Sequence, residues 1–142
     1  MKTLAEFLIP SKPGNERLAV SQVLSAVENL SLSKPNLDRL GTAVAEATMN
    51  AMEYGNQFVA DDPVEIQVWA SKKELKIRIT DHGGGKIIFE YVTPDLDAKL
   101  AGKQKPRGWG LFLIQNMVDD IRITSDGKHR TLELIFNLQP KP

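Results

Sequence analysis

Three short stretches hold the residue types that do chemistry. The first is Glu46-Ala-Thr-Met-Asn50, inside LDRLGTAVAEATMNAMEYGN (37–56). Glu46, Asn50 and Glu53 recur at steps of four and three, so on a helix a carboxylate and an amide stack one turn apart. They lie about a quarter turn from the apolar stripe Leu40, Val44, Ala47 and Ala51, counting roughly 100° per residue. At that edge a side chain is half covered and still reaches a ligand. Glu-x-x-x-Asn alone is also what a solvated helix face carries, so its meaning depends on the rest of the chain.

The second stretch is ITDHGGGK (79–86). Asp81 shares the parity of Leu75, Ile77 and Ile79, so a strand continued to that point aims its carboxylate inward. A buried carboxylate needs hydrogen-bond donors, and the exocyclic amine of a nucleobase is one. Gly83, Gly84 and Gly85 would let backbone and ligand approach closely; the plainer alternative is a tight turn with a capping Asp. The third stretch is RGWGLFLI (107–114). Gly108 and Gly110 open a helix whose free N–H groups and positive dipole end suit a phosphate, and Arg107 adds a fixed charge. A glycine-punctuated helix start is the alternative there, with Trp109 packing against residues 86–106.

Other chemistries lack their residues. No Gly-Lys is followed by Ser or Thr, which excludes a P-loop, and no G-x-G-x-x-G follows a strand. His82 and His129 fall in different turns and read as solvated rather than as metal ligands. The absence of cysteine excludes a disulfide scaffold, a thiolate zinc site and a cysteine nucleophile. Eighteen basic residues balance eighteen acidic ones, so no nucleic-acid or membrane-binding surface is implied. The apolar run near the N-terminus stops at Pro10, too short for a signal peptide, and a cytoplasmic location is expected. The length of 142 residues points to one domain.

The elements that must position these residues follow from periodicity. A strand is expected at 3–9, a helix from Asn15 to about Leu30, and the central helix from an Asn36 N-cap to Gly55, where glycine suits a left-handed C-terminal residue. Strands Val64–Ala70 and Leu75–Thr80 read as a hairpin around SKKE. Residues 86–106 are irregular apart from a helical fragment at Leu96–Leu100. A helix over Gly108–Val118 and strands Ile121–Thr124 and Leu132–Leu138, turning at Asp126–Gly127, close the chain. This order predicts an α+β fold: a two-layer sandwich with a mixed, mostly antiparallel sheet and helices on one face.

In order, Glu46–Asn50, Asp81-His-Gly83-Gly-Gly85 and Gly108-Trp-Gly110-Leu111 resemble the N, G1 and G2 boxes of the GHKL (Bergerat-fold) ATPase superfamily. Within it, VAEATMNAMEYGN and RGWGLFLIQNMVDD are similar to the bacterial anti-sigma-factor serine/threonine kinases. The resemblance implies a histidine-kinase-like ATPase fold that binds ATP and Mg²⁺, with residues 86–106 as the ATP lid. It gives Asp81 the adenine amino group, with Gly83 and Gly85 as pocket wall. It gives Asn50 the metal, and Arg107, Gly108, Gly110 and the Leu111 amide the phosphates. Glu46 would be catalytic, activating the attacking Ser or Thr hydroxyl of a protein substrate.

The partners implied are a sigma factor, an anti-sigma-factor antagonist that is phosphorylated and a second copy of the chain in a homodimer, with no direct contact with nucleic acid or membrane. The rival readings are a nucleotide-gated partner-binding switch without kinase activity and a stand-alone histidine kinase catalytic domain. The sequence departs from the family in two places. Lys86-Ile87-Ile88 precedes Phe89-Glu90 where an aromatic and an acid usually follow the glycines. The family's hydroxyl residue on the closing strand is unassigned, because Thr131 has the outward parity while Arg130 shares that of Leu132, Leu134 and Phe136.

Overall fold

The computed structural model describes residues 1–59, 61–83 and 107–138. Its elements run β1 (Lys2–Ile9), α1 (Glu16–Ala26), a 3-10 turn (Glu28–Leu30), α2 (Lys34–Asn50) and a π-helical turn (Ala51–Gly55). After these come β2 (Val64–Ala70), β3 (Glu74–Asp81), α3 (Arg107–Met117), β4 (Asp120–Ser125) and β5 (Arg130–Asn137). The sheet order is β1-β2-β3-β5-β4, and every pairing is antiparallel. The expected α+β sandwich is present; no parallel pair occurs among the described strands. The 86–106 segment, with the helical fragment expected at Leu96–Leu100, lies outside the described residues.

Alternation along the strands builds the core. Ala5, Val68, Ile77, Leu134 and Ile121 are successive cross-strand partners in one inward row; Phe7, Ile66, Ile79, Leu132 and Ile123 form the next. Leu40, Val44, Ala47 and Ala51 of the central helical segment join these rows in one buried cluster, with Ala19 and Val23 of α1 and Ile114 of α3. Each fully buried Ile, Leu or Val there contributes about 1.5–3 kcal/mol relative to exposure. α2 is packed between α1 and α3 and rests on β3, so its C-terminal end is carried to the end of the sheet.

The outer face of the sheet is held by polar cross-strand pairs. Arg78 donates to Glu133 Oε2 from Nε (3.2 Å) and Nη2 (3.0 Å) and lies over the Trp69 ring at 4.7 Å. Thr80 and Thr131 hydroxyls are 3.3 Å apart on the same side. Thr131 therefore faces away from the helices, as its parity predicts.

Two boundaries differ from the reading of the sequence. α2 is capped by Ser33, whose Oγ accepts the Asn36 N–H at 3.3 Å, and Pro35 occupies the first turn. Pro35 has no N–H to leave unpaired there, which moves the start three residues ahead of the expected Asn36 cap. α1 ends at Ala26 and tightens into the 3-10 turn, with Ser31 leaving it at a left-handed φ of 55°.

Candidate functional site

The site is assembled where α2 ends against the end of β3. Glu46 and Asn50 are both partly exposed beside the buried stripe, as the spacing predicts. Beyond Asn50 the helix widens: the Asn56 N–H donates to Ala51 O at 2.9 Å, an i→i−5 bond. Such π turns insert a residue into the helical ladder and recur at functional sites. Glu53 falls inside this turn and is exposed, so the polar line of the helix stops at Asn50.

The π turn sets the backbone of Gly55 against the Asp81 side chain. A Cβ on Gly55 would lie 2.2 Å from Asp81 Cγ and 2.4 and 2.5 Å from its two carboxylate oxygens. One on Gly83 would lie 2.9 Å from both Asp81 Oδ1 and Gly55 Cα. Gly55 is thus required by close approach. It does not take the left-handed conformation expected of it; that conformation falls instead on Gln57 (φ 52°) and Phe58 (φ 55°).

Asn56 ties this end of the molecule together. Its side-chain amide donates to Ser11 Oγ (3.0 Å) and to the Asp62 carbonyl (2.7 Å), and its Oδ1 accepts the His82 N–H at 2.7 Å. Ser11 Oγ donates in turn to the Asp62 carbonyl at 2.6 Å. Ser11 and Asn56 are both buried. One amide therefore joins the end of β1, the π turn and the loop that leaves Asp81.

Asp81 itself is 3% exposed and points inward. Oδ1 accepts the Gly83 N–H at 2.7 Å. Oδ2 accepts Nε (3.1 Å) and Nη2 (2.7 Å) of Arg130, its cross-strand partner on β5. The pair occupies the inward row next to Ile79 and Leu132, where the two preceding rows are apolar. Burial pushes the Asp81 carboxyl above its ordinary value, while the Arg130 guanidinium, the Gly83 N–H and His82 pull the other way. The expectation of an inward acid at 81 holds, as does the inward parity of Arg130.

His82 and His129 sit in different turns, as read from the sequence, but their rings meet at 5.2 Å between centroids. No group of three or more His, Asp or Glu that could hold a metal occurs among the described residues. The Arg107–Gly110 backbone forms the first turn of α3, which packs on α2. The side chains of residues 107–111, and Gly84, Gly85 and the Lys86–Glu90 run, lie outside the described residues.

Three residues of the site escaped the sequence reading. Gly55 was visible only as a helix stop, because the residues that need it, Asp81 and Gly83, lie 26 and 28 positions further along the chain. Asn56 entered the reading only as the last residue of the 37–56 stretch, and its buried partners come from distant segments. Arg130 was read as inward, but only the register places it opposite Asp81.

The fold has counterparts in known proteins. The family model described as histidine kinase-like ATPase domain matches residues 9–136. The serine-protein kinase RsbW of Oceanobacillus iheyensis is 28% identical over 125 residues, covering 84% of this chain and 78% of that protein. The anti-sigma F factor of Clostridium novyi is 28% identical over 131 residues, covering 92% and 89%. A crystal structure of RsbU and RsbW domains from Mycobacterium tuberculosis superposes with a TM-score of 0.67 at 14% identity. It covers 96% of this chain, which spans 32% of the larger one. The match of 9–136 takes in α1, α2, Asp81 and nearly all of β5, and the chain belongs to the histidine kinase-like ATPase domain family.

Proposed function

We propose that this chain is an ATP-dependent protein serine/threonine kinase and anti-sigma factor that phosphorylates an anti-sigma-factor antagonist. The observation that carries the reading is the placement of Asp81: an inward acceptor at the end of the sheet, with the backbone of Gly55 and Gly83 against it, Gly55 closing the helical segment that carries Glu46 and Asn50. The family match and the names of the relatives support the same reading.

The donor set suits the implied ligand. An ionised carboxylate offers about four acceptor positions; among the described residues Arg130 and Gly83 use three on Asp81, and the adenine amine would take the fourth. Bare glycine at 55 and 83 forms a wall on which a side chain would intrude. A Mg²⁺ would take most of its oxygens from phosphate and water, the usual habit of this ion, and one from the Asn50 carbonyl; among the described residues no cluster of acids cages it. When bound, Mg²⁺ supplies charge neutralisation to the phosphates.

In this reading the first turn of α3, with Arg107, Gly108, Gly110 and the Leu111 amide, holds phosphate oxygens by its N–H groups and dipole. Gly85 continues the pocket wall and 86–106 covers it. Glu46 accepts the proton of a substrate Ser or Thr hydroxyl as that oxygen bonds to the terminal phosphorus of ATP and ADP leaves. Phosphoryl transfer asks mainly for positioning and charge stabilisation, so this small set is enough. A sigma factor, the antagonist and a second copy of the chain are the partners, in the cytoplasm. No helix of the described residues is long and apolar enough to cross a membrane.

Labelled ATP with Mg²⁺ and candidate antagonists tests the reading. The wild type transfers label to one antagonist, whereas Glu46→Ala binds ATP and transfers none. A wild type that binds nucleotide and a partner yet labels no antagonist would make the chain a nucleotide-gated switch instead.

A further inference from the structure

We propose that Arg130 is a base-reading residue, donating to the ring nitrogen beside the adenine amine while Asp81 accepts from the amine itself. The inference rests on the nucleotide reading above and adds a residue and a specificity to it. The sheet register makes Arg130 the direct partner of Asp81, and the two side chains are 2% and 4% exposed. They form one edge, so any group that reaches the carboxylate arrives beside the guanidinium. A guanidinium only donates, and a carboxylate only accepts. Adenine presents the complementary pair, an amine flanked by acceptor nitrogens at N1 and N7.

The lone-pair count favours adenine over guanine. Counting the described residues, two bonds on Oδ2 and one on Oδ1 leave about one acceptor position on Asp81. That position satisfies a single base amine but not the adjacent N1–H and N2 amine of guanine together. The hydroxyl that could otherwise serve on β5, Thr131, is turned to the opposite face and paired with Thr80. Among the described residues of β5, Arg130 is the donor beside that edge, with its Nη2 2.7 Å from the carboxylate it would share with the base.

A matched set of nucleotides decides this. ATP, 1-deaza-ATP, 7-deaza-ATP and purine riboside triphosphate are titrated with Mg²⁺ into the wild type and into Arg130→Met. The wild type should bind one of the two deaza analogues roughly tenfold to a hundredfold more weakly than ATP, the range for a hydrogen bond from a charged donor. In Arg130→Met, ATP should weaken by a similar factor and the difference between ATP and that analogue should vanish. A residue that only braced the fold would weaken all four nucleotides together and leave that difference intact.

The role is overturned if both deaza analogues match ATP on the wild type, if discrimination persists in Arg130→Met, or if that variant binds ATP as tightly as the wild type. Should Arg130→Met fail to fold, Arg130→Lys carries the same comparison: it keeps a cation beside Asp81 but loses the forked donor, so the difference between ATP and that analogue should shrink, and an unchanged difference overturns the role. Purine riboside triphosphate, which lacks the amine, reports on Asp81 separately. Loss of ATP binding by the wild type would remove the nucleotide reading as well, whereas unchanged deaza affinities remove only the role of Arg130.

Discussion

Gly55→Ala is the smallest change that reaches the floor of the site. The added methyl would lie 2.2–2.5 Å from three atoms of Asp81, closer than any such pair can stand. Asp81 has little freedom to retreat, since hydrogen bonds of 2.7, 2.7 and 3.1 Å hold its two oxygens. Overpacking of this kind costs about 1–3 kcal/mol, and breaking a buried ion pair outright costs about 3–5 kcal/mol. Displacement without full rupture lies between them, and alanine returns up to about 1 kcal/mol through helix propensity. The net expectation is a loss of about 2–4 kcal/mol.

At roughly 2.1 cal/mol/K of unfolding entropy per residue, a chain of 142 residues would then melt about 7–13 °C lower. Differential scanning calorimetry reads the shift directly. Gly41→Ala is the control: its Cβ would meet Val20 Cγ1 at an ordinary 3.6 Å, so the same substitution should stabilise by up to about 1 kcal/mol. If Gly55→Ala melts within about 2 °C of the wild type while Gly41→Ala behaves as expected, the packing argument for the site is wrong.

Three further outcomes follow from the same contacts. Asn56→Ala removes the amide that donates twice and accepts once, and should cost about 2–4 kcal/mol in urea unfolding; a loss below about 1 kcal/mol would demote Asn56 from hub to bystander. Arg78→Ala, on the half-exposed outer face, should cost only about 1 kcal/mol by the same assay, because paired surface charges are worth little. Asp81 gives a pH signature. Its folded pKa is raised above 3.8, so the native state holds the proton more tightly, and this contribution is complete below pH 3.8 and fades as pH rises through the folded value. The stability of the wild type relative to Asp81→Asn should therefore fall across that window; a difference that is flat or rises with pH would show that the carboxyl is not raised.

Much of the fold was legible because the hydrophobic periods are strong. The alternation of Val64, Ile66, Val68 and of Leu75, Ile77, Ile79 fixes two strands and their inward faces, and the 3.6-residue stripe from Leu40 to Ala51 fixes α2. Parity alone placed Asp81 and Arg130 inward and Thr131 outward. What periodicity could not reach was pairing across the sheet. Nothing local to Arg130 says that Asp81 is opposite, and nothing local to Gly55 says that a carboxylate lies against it. The π turn also escaped, because the residues 51–55 read as ordinary helix and only the Asn56-to-Ala51 bond marks the extra residue. The cap at Ser33 was missed for a different reason: Pro35 was taken as part of a connector, although proline is well suited to the first turn of a helix.

Isothermal titration of Mg²⁺-ATP into the wild type and into Asp81→Asn addresses the claim on which the rest depends, that the inward acid at the end of β3 receives an adenine. The wild type should show saturable uptake at one site per chain. Asp81→Asn should lose at least tenfold in affinity, since its amide replaces one acceptor oxygen by a donor that opposes both the amine and Arg130. Equal affinity in the two proteins, or no heat of binding in the wild type, would contradict the account.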